Sequence, residues 1–197
     1  MALGLLCLGL TLMGTLKIQI QDFNLAVIPS PPLSKIPLQP DFQEKQFQGK
    51  WYTIGWAQNT NWNHRLSQLL KFSSNYKLKD DHSYNVSSTW FSNHVCDHRS
   101  DTILPSGQPG QFTLDNLPSY NGLQNYTMRV VSTDYNQFAM VFYKLVFNNI
   151  ECFELMLYGR TMGLSPEQED LFFNFAKSLG LPDDYISFIE PMENCMD

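Results

Sequence analysis

The sequence predicts an all-β domain, an antiparallel barrel or sandwich, followed by a single helix. Three observations carry this reading. Eight short β-rich runs follow one another at close, roughly even spacing, with no helical pattern between them. One amphipathic stretch after them has both a start and a stop signal. The composition, 43% hydrophobic and 14% aromatic with only 16% charged residues, is that of a packed globule. At 197 residues the chain has room for one good domain and hardly for two.

The first element is a leader. "MALGLLCLGLTLMGTL" is a continuous apolar run ended by Lys17, too short to span a membrane comfortably and the right length for a signal-peptide core. Ile18 and Ile20 occupy positions where cleavage wants small residues, so the expected signal peptide, residues 1–20, has no sharply defined cut. Residues 21–45 are expected to form an extended N-terminal arm. Its "IPSPPLSKIPLQPDF" segment is proline-rich, and proline fixes φ and removes backbone donors. Residues 46–197 then form the folded domain.

"QFQGKWYTIGWAQ" opens the strands. "SSNYKLK", "SYNVSSTWF", "RSDTILP", "GQFTLDN", "NYTMRVVSTD", "FAMVFYKLVF" and "CFELMLYGRT" continue them, with polar turn-forming segments between. One run is ambiguous. In "CDHRSDTILP" the side chains of Asp97, Arg99, Asp101 and Ile103 share one face, and neither face is cleanly apolar. The helix is expected over about 166–179. Ser165 is its N-cap, Pro166 its first residue and Gln168 completes a capping box, while Gly180 and Pro182 end it. Leu171, Phe172, Phe175, Ala176 and Leu179 form its apolar stripe.

The net charge is −6, and removal of residues 1–20 takes Lys17 and no acidic residue, leaving −7. Such a surface repels nucleic acid and anionic membranes, so neither is an expected partner, and no membrane insertion is expected. Of four cysteines, Cys7 leaves with the leader. Cys96, Cys152 and Cys195 then make an odd count, which in an oxidising compartment means one disulfide and one thiol over, with three pairings open. "NVS" at Asn85 and "NYT" at Asn125 are glycosylation sequons. The chain carries no G-x-S-x-G, H-E-x-x-H, phosphate-cradling loop or C-x-x-C. No catalytic residue, enzyme activity or cofactor is therefore expected.

Three segments together resemble the lipocalin family: "GKWYTIG" with Gly49 and Trp51, "STDYNQFAMV" with Thr133, Asp134 and Tyr135, and "YGRT" with Arg160. The resemblance extends over nearly the whole chain and weakens at 57–75 and 89–104. It implies an eight-stranded antiparallel up-and-down β-barrel, a calyx with one open mouth, and one C-terminal helix packed outside. In that pattern Trp51 closes the narrow end and Arg160 packs across it. The resemblance also implies a disulfide from Cys96 to Cys195, which leaves Cys152 as a free thiol in the calyx lining. His94, Cys96 and His98 share a strand face at a spacing seen in zinc sites, but with Cys96 assigned to the disulfide no metal site is expected. An exposed cysteine that the family uses for covalent partners is absent, Gly107 standing in "PSGQPG", so a monomer is expected.

The resemblance also speaks to the ambiguous strand. In siderophore-binding lipocalins the residues three and five after the disulfide cysteine enter the calyx, one aromatic and one basic. Here they are Arg99 and Asp101, so the charged face is expected to look inward. Two further basic positions match Leu145 and Glu154, while Tyr126 and Tyr158 match pocket tyrosines. Arg99, Asp101, Leu145 and Glu154 thus sum to −1 where the pattern is strongly positive. An anionic iron chelate needs cations to offset its desolvation. The expected ligand is therefore a small hydrophobic or amphiphilic molecule, carried by a secreted, extracellular protein and held by Arg99, Asp101, Tyr126, Leu145, Glu154 and Tyr158. The alternatives are a siderophore-sequestering protein of innate defence and a signalling lipocalin whose loops face a cell-surface endocytic receptor.

Overall fold

The computed structural model describes residues 28–60, 70–92 and 95–189. The leader, His94 and Cys195 lie outside the described residues. Eight antiparallel strands correspond to the eight sequence runs: β1 Gly49–Gln58, β2 Leu70–Leu78, β3 Tyr84–Ser92, β4 Val95–Pro105, β5 Gln111–Leu114, β6 Leu123–Thr133, β7 Phe138–Phe147 and β8 Ile150–Gly159. Each pairs with the next, β8 pairs with β1, and β1 pairs with β2, so the sheet closes into a barrel. Tight turns suit this topology. Asn148 and Asn149, both with positive φ, make the two-residue link between β7 and β8, a geometry that asparagine tolerates.

A ninth strand, β9 Ile186–Phe188, lies outside the barrel and was not expected. β1 pairs with β2 only through Gly49–Tyr52, and its later residues Gly55–Ala57 take β9 on that edge instead. The short strand thus covers backbone groups that would otherwise present an open edge.

β1 also contains the irregularity that matters most for the interior. Its register against β8 shifts between Thr53 and Gly55. Trp51 and Thr53 point inward before the bulge, and Trp56 and Gln58 point inward after it, opposite Met156 and Glu154. Gly55 faces outward, where a Cβ would lie 3.0 Å from Phe172 Cε1, so its lack of a side chain lets the helix approach.

Two apolar layers result. Inside lie Trp51, Tyr76, Tyr84, Val86, Ile103, Met128, Val141, Tyr143, Leu145, Met156 and Tyr158, among others. Outside, Ile54, Ala57, Phe142, Phe153, Leu155 and Leu157 meet the helix Pro166–Ser178. β8 is therefore buried on both faces, which explains why "CFELMLY" is apolar almost without interruption. Met156 packs within the barrel, whereas Phe142 and Phe153 stack at 5.5 Å beneath the helix.

Gln168 Oε1 accepts the Ser165 backbone N–H at 3.0 Å, as a capping box requires. Gly180 adopts φ +88°, the left-handed conformation that ends helices. One expectation for this helix fails. Phe172, Phe175, Ala176 and Leu179 face the barrel, but Leu171 is 46% exposed. Positions 172, 175, 176 and 179 already follow the i, i+3, i+4, i+7 spacing, and Leu171 lies about 100° round from Phe172.

The N-terminal arm is pinned to the barrel wall. Its backbone is not extended throughout: Pro32 leads into a 3₁₀ turn at Leu33–Lys35, and a short helix, Glu44–Phe47, precedes β1. Gln39 N–H donates to Val130 O at 2.8 Å, and Gln39 Oε1 accepts Thr133 N–H at 2.8 Å. No helix among the described residues is long and apolar enough to cross a membrane.

Candidate functional site, the barrel interior

The three segments that carry the family resemblance meet at one end of the barrel. Trp51 is fully buried there, its Nε1–H donating to Phe47 O at 2.9 Å. The Arg160 guanidinium lies 3.6 Å from the Trp51 ring and donates to the carbonyls of Tyr135, Lys50 and Gln46, each at 3.0 Å. Asp134 Oδ1 accepts the N–H groups of Asn136, Gln137 and Phe138, which shapes the loop before β7. Tyr135, at φ +64°, completes it, and its hydroxyl accepts Gln43 N–H at 2.9 Å. This end is a plug of packed aromatic rings and hydrogen-bonded backbone, so any opening for a ligand belongs at the other end.

Above the plug the interior carries a tyrosine cluster. Tyr143 Oη lies 3.2 Å from Tyr76 Oη and 3.0 Å from Tyr158 Oη, and the Tyr126 ring lies 6.0 Å from that of Tyr143. Burial pushes the Tyr76 hydroxyl up to about 12 and those of Tyr126, Tyr143 and Tyr158 well above the ordinary phenol range. After burial, the electrostatic influence of Tyr76, Asp101 and Glu154 raises the Tyr126 hydroxyl further.

The ambiguous strand turns its charged face inward. Ile103, on the same face as Arg99 and Asp101, belongs to the interior cluster, and Arg99 and Asp101 pair across β3 with Ser88 and Val86. Arg99 Nε donates to Asp101 Oδ1 at 3.1 Å, with the side chains 26% and 30% exposed. The Tyr120 hydroxyl also donates to Asp101 Oδ1, and the Arg99 guanidinium lies 4.3 Å from the Tyr120 ring. Burial first, and then this hydrogen bond, push the Tyr120 hydroxyl up to about 12.

Further along the barrel, Glu154 stands opposite Gln58 on β1 and Tyr143 on β7. Leu145 stands opposite Tyr126 and Cys152. Glu154, Leu145 and Cys152 are all buried. The six calyx residues named from the sequence, Arg99, Asp101, Tyr126, Leu145, Glu154 and Tyr158, thus all lie on the inward face. Sequence reasoning missed Thr53, Gln58 and Tyr120. The signal for Gln58 was hidden, because simple alternation from Trp51 puts it outside and only the bulge turns it in.

The cysteines depart from expectation. Cys96 and Cys152 are both disulfide-bonded, and no described cysteine is free. A free Cys152 followed from subtracting Cys7 and pairing Cys96 with Cys195, and the bonded state of Cys152 overturns it. Among the described residues, no three His, Cys, Asp or Glu side chains converge to hold a metal ion. Asn85 and Asn125 are both exposed on the outside of the barrel.

A closed eight-stranded antiparallel barrel, plugged at one end by a Trp–Arg stack, defines the class. The chain belongs to the Lipocalin / cytosolic fatty-acid binding protein family, whose sequence profile matches residues 48–193. It is 50% identical over 197 residues to human neutrophil gelatinase-associated lipocalin, covering 100% of both chains. It is 29% identical over 192 residues to prostaglandin-H2 D-isomerase of Ovis aries, covering 96% of this chain and 94% of that one. The solution structure of lipocalin 12 from rat epididymis superposes with a TM-score of 0.70 at 29% identity, covering 78% of this chain and 87% of that one.

Proposed function

We propose that this lipocalin is a secreted carrier that binds a small hydrophobic or amphiphilic molecule inside its barrel. The observation that carries the reading is the charge of the inward face. Arg99 is matched by Asp101 at 3.1 Å, Leu145 is neutral and Glu154 adds a second carboxylate. An eight-stranded barrel is the size class whose interior either fills with side chains or holds one small ligand. Tyr126, Tyr143, Leu145 and Met156 supply the apolar surface for such a ligand. An anionic ferric chelate would have to shed its hydration against carboxylates, and each close like-charge contact at low effective dielectric costs on the order of a few kcal/mol.

One relative is named as an isomerase, and no nucleophile–base pair is proposed for this interior. Native mass spectrometry of the protein secreted by expressing cells tests the carrier reading. The expected result is a bound small organic mass that solvent extraction removes. A barrel that emerges empty, and whose thermal stability no retinoid, fatty acid or alkylamine raises, contradicts it.

A further inference from the structure

We propose that the loop between β5 and β6 is a gate in the side wall of the barrel, latched by Tyr120 on Asp101 and Arg99. The proposal rests on the carrier reading and names the route by which the ligand enters. The wall is incomplete as a sheet at this place. β4 and β6 have 11 residues each, but β5 between them has only 4. β5 pairs with β4 at residues 103–105 alone, whereas the opposite edge of β4 is paired with β3 from Ile103 to Val95. Above Ile103 the β5 edge carries one further backbone bond among the described residues, Asp115 N–H to Thr102 O at 2.8 Å. His98, four residues from Thr102, turns its N–H to the same edge, where the Asp97 carboxylate accepts it at 2.9 Å. A side chain thus stands where a neighbouring strand is missing.

Residues 115–122 fill that gap as a loop with a single 3₁₀ turn, Leu117–Ser119. Leu117 and Tyr120 are its inner surface, both packed on the interior cluster. The Tyr120 hydroxyl donates to Asp101 Oδ1, and the Arg99 guanidinium lies 4.3 Å from the centre of the Tyr120 ring. Arg99 and Asp101 are on the inner face yet 26% and 30% exposed, so the space beside this loop is open to solvent. Both ends of the loop have left-handed backbone, Asn116 at φ +53° and Gly122 at φ +89°. At Gly122 a Cβ would lie 2.6 Å from Phe147 Cζ, and the Gly122 carbonyl accepts Asn148 N–H at 2.9 Å. That end is fixed to the turn between β7 and β8, so the residues before it are the ones that swing.

The strength of the latch suits a gate. One hydrogen bond and one cation–π contact, both at partly exposed groups, favour the closed loop by about ten- to a hundredfold. Loops held this way open on the microsecond to millisecond scale without unfolding the protein. With Tyr120 swung out, a window flanked by Asp101 on β4 and Tyr126 on β6 joins the outside to the inner face. The strands that carry the plug take no part in the motion.

The test is stopped-flow binding of retinol, or of dodecanoate where retinol is not bound, to the unmodified protein and to Tyr120→Phe. This variant keeps the ring and removes the hydroxyl, and its thermal melt confirms that it folds. A gate predicts that association and dissociation both quicken by about fivefold while Kd stays within about twofold. A tyrosine that only lines the pocket changes Kd instead, through dissociation. Hydrogen exchange of the ligand-free protein gives a second reading. The amides of Ser119, Tyr120 and Leu123, which bond within the segment, should exchange about fivefold faster in Tyr120→Phe, with β7 and β8 unchanged. A bound probe with unchanged rates, or unchanged loop exchange, overturns the gate and leaves the carrier reading intact. Failure of both probes to bind either protein overturns the carrier reading and the entry route with it.

Discussion

Arg99 and Asp101, two positions apart on β4, close a 3.1 Å ion pair on the inner face of the barrel. Their pairing neutralises the only cation that the strand sends inward and fixes Tyr120 at the same carboxylate oxygen. Because both side chains keep about a quarter to a third of their exposure, solvent screens the attraction. A double-mutant cycle with Arg99→Met and Asp101→Asn, read by urea denaturation, should give a coupling of roughly 0.5–1 kcal/mol. A coupling of zero would mean that the pair contributes no stability.

The plug should be far more costly to disturb. Arg160→Ala removes three hydrogen bonds to backbone carbonyls and the stack on Trp51. The expected destabilisation is about 2–4 kcal/mol by denaturant midpoint, with Arg160→Lys recovering only part of it because lysine is no planar fork. A loss below about 0.5 kcal/mol, the range of ordinary surface changes, would contradict the structural role assigned to Arg160.

The strands and the helix were legible because each signal is local. Turn residues bound the eight runs, and the Ser165–Gln168 box and Gly180 mark the helix ends. What escaped depends on tertiary structure. β9 is three residues long and shows no periodicity of its own. Leu171 belongs to an apolar cluster in sequence, yet only the docked helix shows which turn of that cluster is covered. The bulge after Thr53 reverses the inward set of β1, and with it the placement of Gln58. For β4 the alternation alone could not choose a face, since neither is apolar. The family resemblance chose it, and the position of Ile103 in the interior agrees. The pairing of Cys152 was beyond a count of cysteines.

The buried phenols tie stability to alkaline pH. Tyr76 and Tyr120 titrate near 12 in the fold against about 10 in the unfolded chain, so the folded state holds their protons more tightly. Their contribution is complete below pH 10 and is lost as pH rises from about 10 to about 12. Melting temperature should fall through that window while tyrosinate absorbance rises with unfolding. Free titration of all tyrosines near pH 10 in the folded protein would contradict the buried cluster.

Asn85 and Asn125 project from the outer wall, clear of both apolar layers. In secreted protein, enzymatic removal of N-glycans should lower the intact mass in two steps, and Asn85→Gln and Asn125→Gln should each abolish one. An intact mass unchanged by the treatment would contradict both sites.

The most direct measurement is ferric catecholate binding, read by quenching of the interior aromatics. With Asp101, Leu145 and Glu154 on the inner face, the chelate should bind at least about 100-fold more weakly than to the same barrel carrying Asp101→Arg, Leu145→Lys and Glu154→Lys. That factor takes about 3 kcal/mol for several charge contacts, at 1.4 kcal/mol per tenfold. The variant's thermal melt confirms that it folds. The account predicts negligible chelate binding by the unmodified protein and recovery in the triple variant. Tight, nanomolar binding by the unmodified protein would contradict it.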